Sequence, residues 1–388
     1  MKRTSAAWVC VITLAATSAL AQSAASGRRS APVLPETPFR YDDGDLPQHF
    51  TEGAGPESVA SSDNTPDDNP TTDAGATLGR VLFYDTRLSA NDSVSCGTCH
   101  QQAHGFSDPR RYSVGFDGQT TRRHSMSLTN ARYYTRGRFF WDERAETLES
   151  QVLAPVQDPV EMGMTLDGLG TKLGQVDYYP RLFDQAFGSP AITADRVARA
   201  LAQFVRALVS YQSPYDRARA AGPPGSAAFT AALPELPRLG HRLFVGVPGE
   251  GVRAVGCARC HVSDAQISLS PRNIGLARLG PDGDDDQGAG DGRFKAPSLR
   301  NVAVRTPYMH DGRFNTLREV IEHYNTKVEA NPFLDLTLMN RRLAVTGGPV
   351  RPVRLELTAR EINALIAFLE SLTDDTFLAD PRFSDPFM

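Results

Sequence analysis

One short pattern occurs twice in this chain and constrains it more than any other feature. Cys96-Gly97-Thr98-Cys99-His100 and Cys257-Ala258-Arg259-Cys260-His261 each place two cysteines three positions apart, with a histidine directly behind. The preceding sequence repeats too. "LGRVLF" starts at Leu78 and "LGHRLF" at Leu239, so both shared features recur at one spacing of 161 positions. Two matches at a single spacing point to an internal duplication, with two related units.

The chain has five cysteines. Cys10 sits in a stretch built like a secretory signal: Met1-Lys2-Arg3, an apolar run from Ala6 to about Ala16, then an Ala19-x-Ala21 cleavage pattern. Residues 1–21 are therefore expected to be removed on export, leaving a soluble periplasmic protein; the run is too short for a bilayer span. The other four cysteines are the two pairs, with no odd thiol left over. A zinc site would use four such thiols but leaves both histidines unexplained. A redox dithiol belongs beside a βαβ pattern, which is missing. Cys-x-x-Cys-His is the attachment pattern of haem c, with two thioether bonds and the histidine as proximal iron ligand. Two covalent haems are expected, on Cys96, Cys99 and His100 and on Cys257, Cys260 and His261.

The chain's 388 residues are enough for two such cores. Removing Lys2 and Arg3 lowers Lys+Arg from 41 to 39 against 45 acids, a net charge near −6, which gives no footprint for nucleic acid. Residues 22–65 are rich in Ser, Pro, Asp and Gly without periodicity and read as a flexible lead-in. "RAAGPPGSAA" (219–228) reads as the linker, giving a first haem domain over 66–220 and a second over 221–388. The rest is mainly helical, with long loops and little β. Val197, Leu201, Phe204, Val205 and Leu208 fall at helical spacing after Thr193, while "TLRE" (316–319) and "TARE" (358–361) are capping boxes ahead of apolar runs.

"LFYDTRLSANDSVSCGTCH", "FFWDERAETLESQVLAPVQDPVEMG" and "FKAPSLRNVAVRTPYMHDGRFNTLREVIEHYN" together resemble the bacterial di-haem cytochrome c peroxidase and MauG family, over about residues 66–375. The resemblance implies two cytochrome c-like haem domains, an N-terminal peroxide-handling haem and a C-terminal haem of higher potential. Many of the peroxidases cap the first haem with a loop histidine in an "S-[IV]-G-H"-like stretch. This chain has "SVGF", Ser113 to Phe116, and phenylalanine cannot bind iron. The first haem is thus expected to be open, with His104 and His124 as the nearby alternatives.

The same resemblance places Glu161 of "PVEMG" as the distal acid/base, although as a bare residue it is an ordinary loop glutamate. It places Gln151 and Pro155 in the distal pocket and Trp141 of "FFWDER" as the relay between haems. Without it, Trp141 beside Phe139 and Phe140 reads as core. For the sixth ligand of the second haem, peroxidases use Met and MauG-like members use Tyr. The matching residue is Tyr324, with Met309, His310 and Met339 as competitors and a core tyrosine as the bland reading. The family often binds calcium between domains. Here the carbonyls of Arg305 and Pro307 would serve, but His124 replaces an asparagine and imidazole suits a hard cation poorly. The acidic loop "PDGDDDQGAGDG" (281–292) lacks EF-hand spacing and reads as a solvated turn.

Phe116 and Tyr324 favour the MauG-like branch. That branch uses hydrogen peroxide to reach a high-valent state shared by both haems and oxidises a partner protein, in known cases at tryptophans. A cytochrome c peroxidase fed by a small electron-donor protein is the second reading, and a di-haem electron carrier the third. Glu161 argues against the carrier, which has no use for a distal acid/base.

Overall fold

The computed structural model describes residues 31–41, 44–55, 58–246, 255–277, 286–339 and 351–387. The expected signal segment 1–21 and the acidic stretch 281–285 lie outside the described residues. The chain is mainly α, and among the described residues β structure is confined to isolated bridges. No described helix is long and apolar enough to cross a membrane.

Two helix pairs organise the cores. In the first, the helix Asp73–Tyr84 crosses the helix Ala194–Ala207; in the second, Glu235–Val245 crosses Ala359–Glu370. The repeated Leu-Gly-x-x-Leu-Phe sits at both crossings. A Cβ at Gly79 would strike the Ala200 carbonyl and the Phe204 side chain, and one at Gly240 would strike the Ala364 carbonyl and Phe368. Glycine is required there because the backbones touch. Of the leucines and phenylalanines of the motif, Leu78, Leu82, Phe83, Leu243 and Phe244 are buried, and Leu239 is half-buried against the second core.

Three of these four helices begin at a capping threonine, and the fourth, Glu235–Val245, follows Pro234 without a side-chain cap. The side chains of Thr72, Thr193 and Thr358 accept the N–H groups of Gly75, Arg196 and Glu361, which satisfies donors that the helix itself leaves open. The first core is built from residues 41–208 and is completed by Phe377 and Phe383 from the far end of the chain. The second core gathers residues 215–372.

Two stretches differ from their composition. Tyr41, Phe50 and Val59 of the expected lead-in are buried, Phe50 against Tyr133 with ring centroids 5.6 Å apart. Three widely spaced apolar residues suffice to anchor a segment that has no periodicity. The Gly-Pro-Pro-Gly stretch is a turn between the helices Pro214–Ala221 and Ala227–Ala232, whose Tyr215, Ala218 and Phe229 belong to the second core. Packing therefore passes from one core to the other upstream of the Pro/Gly cluster.

Candidate haem sites

Ser95 opens the four-residue helical turn Cys96–Cys99 with a capping box in which Thr98 reciprocates. The turn leads into His100, whose ring Nδ1 lies 3.0 Å from the Phe106 carbonyl. That carbonyl can only accept, so Nδ1 carries the proton and Nε2 is left with its lone pair, the state a metal-ligating imidazole needs. Burial holds His100 below its ordinary pKa, which favours the neutral ring. His261 is held lower still, at about 4, by burial.

The four thiols are unpaired. Burial pushes Cys96 and Cys257 up to about 12 and Cys99 to about 11. Among the described residues no group of three or more His, Cys, Asp or Glu is arranged to hold a metal ion. Thioether attachment consumes these sulfurs without leaving a charge on them.

Cys96, Cys99 and His100 open onto a cavity of about 1100 Å³. Glu161, Gln151, Pro155 and Trp141 all line it. The volume and the neutral histidine fit a haem. Asp158 fixes the turn that carries Glu161: its Oδ1 accepts the N–H of Val160 at 2.8 Å and of Glu161 at 3.2 Å. The Glu161 carboxyl accepts no hydrogen bond from another described residue, and its charge acts on both Cys96 and Cys99. Burial, then the Asp158 carboxylate, raise Glu161 to about 7, with Arg144 opposing. A carboxyl poised near neutrality is suited to take and return a proton.

Phe116 packs on Gly163, and its N–H donates to the Glu161 carbonyl at 3.0 Å. The loop that would carry a capping histidine is thus tied to the strip that carries Glu161, and it ends in a hydrocarbon. The two alternative histidines are ruled out on different grounds, His124 by its occupied ring and His104 by its place. His124 has Nδ1 at 3.2 Å and 3.3 Å from the carbonyls of Arg110 and Arg111, and Nε2 at 3.1 Å from Ser107 Oγ. His104 has Nδ1 at 3.2 Å from the Val304 carbonyl, and it does not line the cavity.

Trp141 joins the two halves. Its indole N–H donates to the His124 carbonyl at 2.7 Å, and its ring meets His310 edge-on at 6.4 Å. His310 is stacked flat on Phe294 at 3.6 Å, so it lies beside Trp141 rather than free to turn. In the second half, the helix Leu317–Glu322 begins at the capping box Thr316–Glu319 and gives way to one π-helical turn, His323–Lys327. The α-helical face expected to run through Tyr324 therefore ends at Glu322. The wider turn holds Tyr324 beside Val328, Leu334 and Met339. Burial raises the pKa of the phenol, and the sulfurs of Cys260 and Cys257 add to this, which places its oxygen within electrostatic reach of the second haem-attachment pair. Such π turns recur at functional sites because they re-aim one side chain.

A model of the family described as "Di-haem cytochrome c peroxidase" matches residues 73–222. The methylamine utilization protein MauG of Methylorubrum extorquens is 36% identical over 330 residues, covering 82% of each chain. The chain belongs to the di-haem cytochrome c peroxidase/MauG family. It is a haem-dependent oxidoreductase acting on peroxide. The cytochrome c551 peroxidase of Nitrosomonas europaea is 28% identical over 81% of this chain and 83% of that one. The crystal structure of a MauG-like protein associated with microbial copper homeostasis matches with a TM-score of 0.69 at 31% identity, over 89% of this chain and 99% of that one.

Three cavity residues carried no signal of their own in the sequence. Arg144 lies over the Phe140 ring at 3.5 Å and opposes the raised pKa of Glu161. Arg123 bridges Asp142 at 2.7 Å and Asp286 at 2.6 Å, which ties the end of the acidic loop to the "FFWDER" segment. Lys295 is a buried ammonium. Charged residues of this kind are read as surface from sequence, and only the fold shows which face they occupy.

Proposed function

We propose that this chain is a MauG-like oxidase of a protein partner, exported to the periplasm by residues 1–21. It would use hydrogen peroxide at the first haem and withdraw electrons from the partner, at tryptophans as in the branch it resembles. The observation that carries this reading is the contrast between the two distal positions. Thr147 and Thr316 cap corresponding helices, and counting forward from each cap brings Pro155 and Tyr324 to the same position. Proline offers no donor atom to iron, whereas a phenol does. The first haem would be open and the second closed by an oxygen ligand.

The attached haems supply peroxide activation and storage of oxidising equivalents. The chain's own residues divide the remaining work. Glu161, ionised above about pH 7, takes the proton from bound peroxide and returns it to the leaving oxygen. Gln151, which lines the same cavity and whose side-chain amide meets no hydrogen-bond partner among the described residues, would hydrogen-bond the same ligand. Phe116 keeps the site open. Trp141 provides the aromatic step toward the second haem, and its orientation is held by the His124 carbonyl. Calcium fits the surroundings of Arg305 and Pro307 poorly. The neighbouring His124 offers imidazole nitrogens, both engaged with protein groups, instead of an oxygen donor.

A stoichiometric peroxide titration of the diferric holoprotein tests the reading, followed by EPR and near-infrared spectroscopy. Loss of both ferric signals together with a new near-infrared band is the expected result. Reaction only after one haem is pre-reduced would instead make the chain a gated cytochrome c peroxidase.

A further inference from the structure

Three buried cations lie on one stretch, residues 295–305, and they are not treated alike. Arg300 is fully buried and fully partnered. It pairs with the Asp216 carboxylate, donates to Ser213 Oγ at 3.0 Å and reaches the Asp264 carbonyl through Nε at 3.0 Å. Lys295 is 3% exposed and Arg305 6% exposed, yet no carboxylate forms an ion pair with either among the described residues. The Lys295 ammonium has three N–H bonds to place. One goes to the Arg138 carbonyl at 3.1 Å, and the rest of the group faces the rings of Tyr134 at 3.9 Å and Phe139 at 4.3 Å. The Arg305 guanidinium makes no hydrogen bond to any described residue, and its Nη1 is sealed from solvent.

An unpaired buried charge is among the costliest things a fold can contain. Both groups register that cost: burial pushes Lys295 down to about 7 and Arg305 to about 10. Arg300 shows that this segment finds carboxylates for its cations where the protein alone must supply them. Lys295 sits where the first cofactor goes, and Arg305 lies within electrostatic reach of the second attachment motif. Lys295 lines the cavity of Cys96 and His100, next to Trp141, whose carbonyl accepts the Lys295 N–H at 2.8 Å. The charge of Arg305 acts on the His261 ring. Each haem carries two propionate carboxylates, so it brings the missing anion with it.

We propose that Lys295 and Arg305 are the propionate partners of the first and second haem respectively, held at fixed places by the Arg300 anchor between them. They are positioning residues that set haem orientation and raise each haem's reduction potential by opposing the added negative charge of its propionates. The inference rests on haem attachment at both Cys-x-x-Cys-His patterns. It does not depend on whether the enzyme is an oxidase of a protein or a peroxidase.

The test uses the diferric and reduced holoprotein with the variants Lys295→Met and Arg305→Met. Haem content, the propionate-bending bands in resonance Raman spectra and the two midpoint potentials are measured. Each variant should keep two haems, shift the bending band of its own haem and lower the potential of that haem alone. An unchanged band and potential for the haem concerned, or equal shifts at both haems, overturns the assignment. Should a methionine variant fail to accumulate, Lys295→Arg and Arg305→Lys decide. A band of the haem concerned that shifts because the new cation reaches its propionate differently, with both haems retained, supports the pairing, and wild-type bands and potentials at that haem refute it. Neither result changes the outcome of the peroxide titration, so failure here and failure of the proposed function are distinguishable.

Discussion

The two halves of the molecule use the same local devices for different ends. An isolated bridge joins Phe139 to Ala145 in the first half and Tyr308 to Phe314 in the second, a constant 169 positions apart. Phe140 and Met309 both take left-handed backbone at matching places. Trp141 then corresponds to His310, Thr147 to Thr316, and Pro155 to Tyr324. The frame is held constant, and the chemistry changes at single positions on it. Where the first half has a proline and a half-buried carboxyl, the second has a phenol. Where the first has an indole able to lose an electron, the second has an imidazole pinned against Phe294. On the proposed reading, one half reacts with a small molecule and the other holds charge.

The sharpest way to break this comparison is to remove the proton carrier proposed for the first half. Glu161→Gln should slow the reaction with peroxide by roughly 10²- to 10⁴-fold while leaving both haems attached, as measured by stopped-flow absorbance. In the unsubstituted protein that rate should rise with pH through about 7, because Glu161 accepts a proton only when ionised and its pKa is raised to about that value. The glutamine variant should lose that inflection. A variant that retains peroxide turnover would remove Glu161 from the mechanism.

Exchanging the distal positions comes next. Tyr324→Phe should open the second haem, converting its EPR signal from six-coordinate to high-spin form, so that the halves look alike. An unchanged second-haem spectrum would show that the phenol is not the ligand. Trp141→Phe should leave both haem spectra intact and slow transfer of oxidising equivalents from the first haem to the second. Simultaneous oxidation at the unsubstituted rate would place the relay elsewhere.

The smallest expected effects concern the frame itself. Gly79→Ala and Gly240→Ala each drive a methyl group into the opposing helix backbone and should cost about 1–3 kcal/mol, read by thermal unfolding. Similar losses in the two variants would sharpen the comparison. A cost confined to one would mean that the crossings are not equivalent.

Much of this was legible in the sequence for definite reasons. Cys-x-x-Cys-His is covalent chemistry written locally, and the Leu-Gly-x-x-Leu-Phe repeat shows by its spacing that a unit recurs, although only the structure shows that it marks a helix crossing. The capping boxes at Thr316 and Thr358 are equally local. Glu161, Trp141, Gln151 and Pro155 were visible only through the family resemblance, since a cavity lined by residues scattered from Phe83 to Ser298 has no single-sequence periodicity. The π turn at Tyr324 was not legible, because the α-helical pattern runs on past Glu322 while the backbone widens. Burial of Phe50 and Val59 was hidden by the polar residues around them, and Lys295 and Arg305 by the ordinary rule that charges lie outside.

The end of the chain has a consequence for how the molecule is made. Tyr84 donates to the Phe383 carbonyl at 2.6 Å, Gln102 to the Asp380 carbonyl at 2.9 Å, and Phe377 and Phe383 close the first core. The half that leaves the ribosome first is therefore finished last. A polypeptide stopping at Leu372 would carry both attachment motifs and the whole second core, and would still lack the clasp on the first.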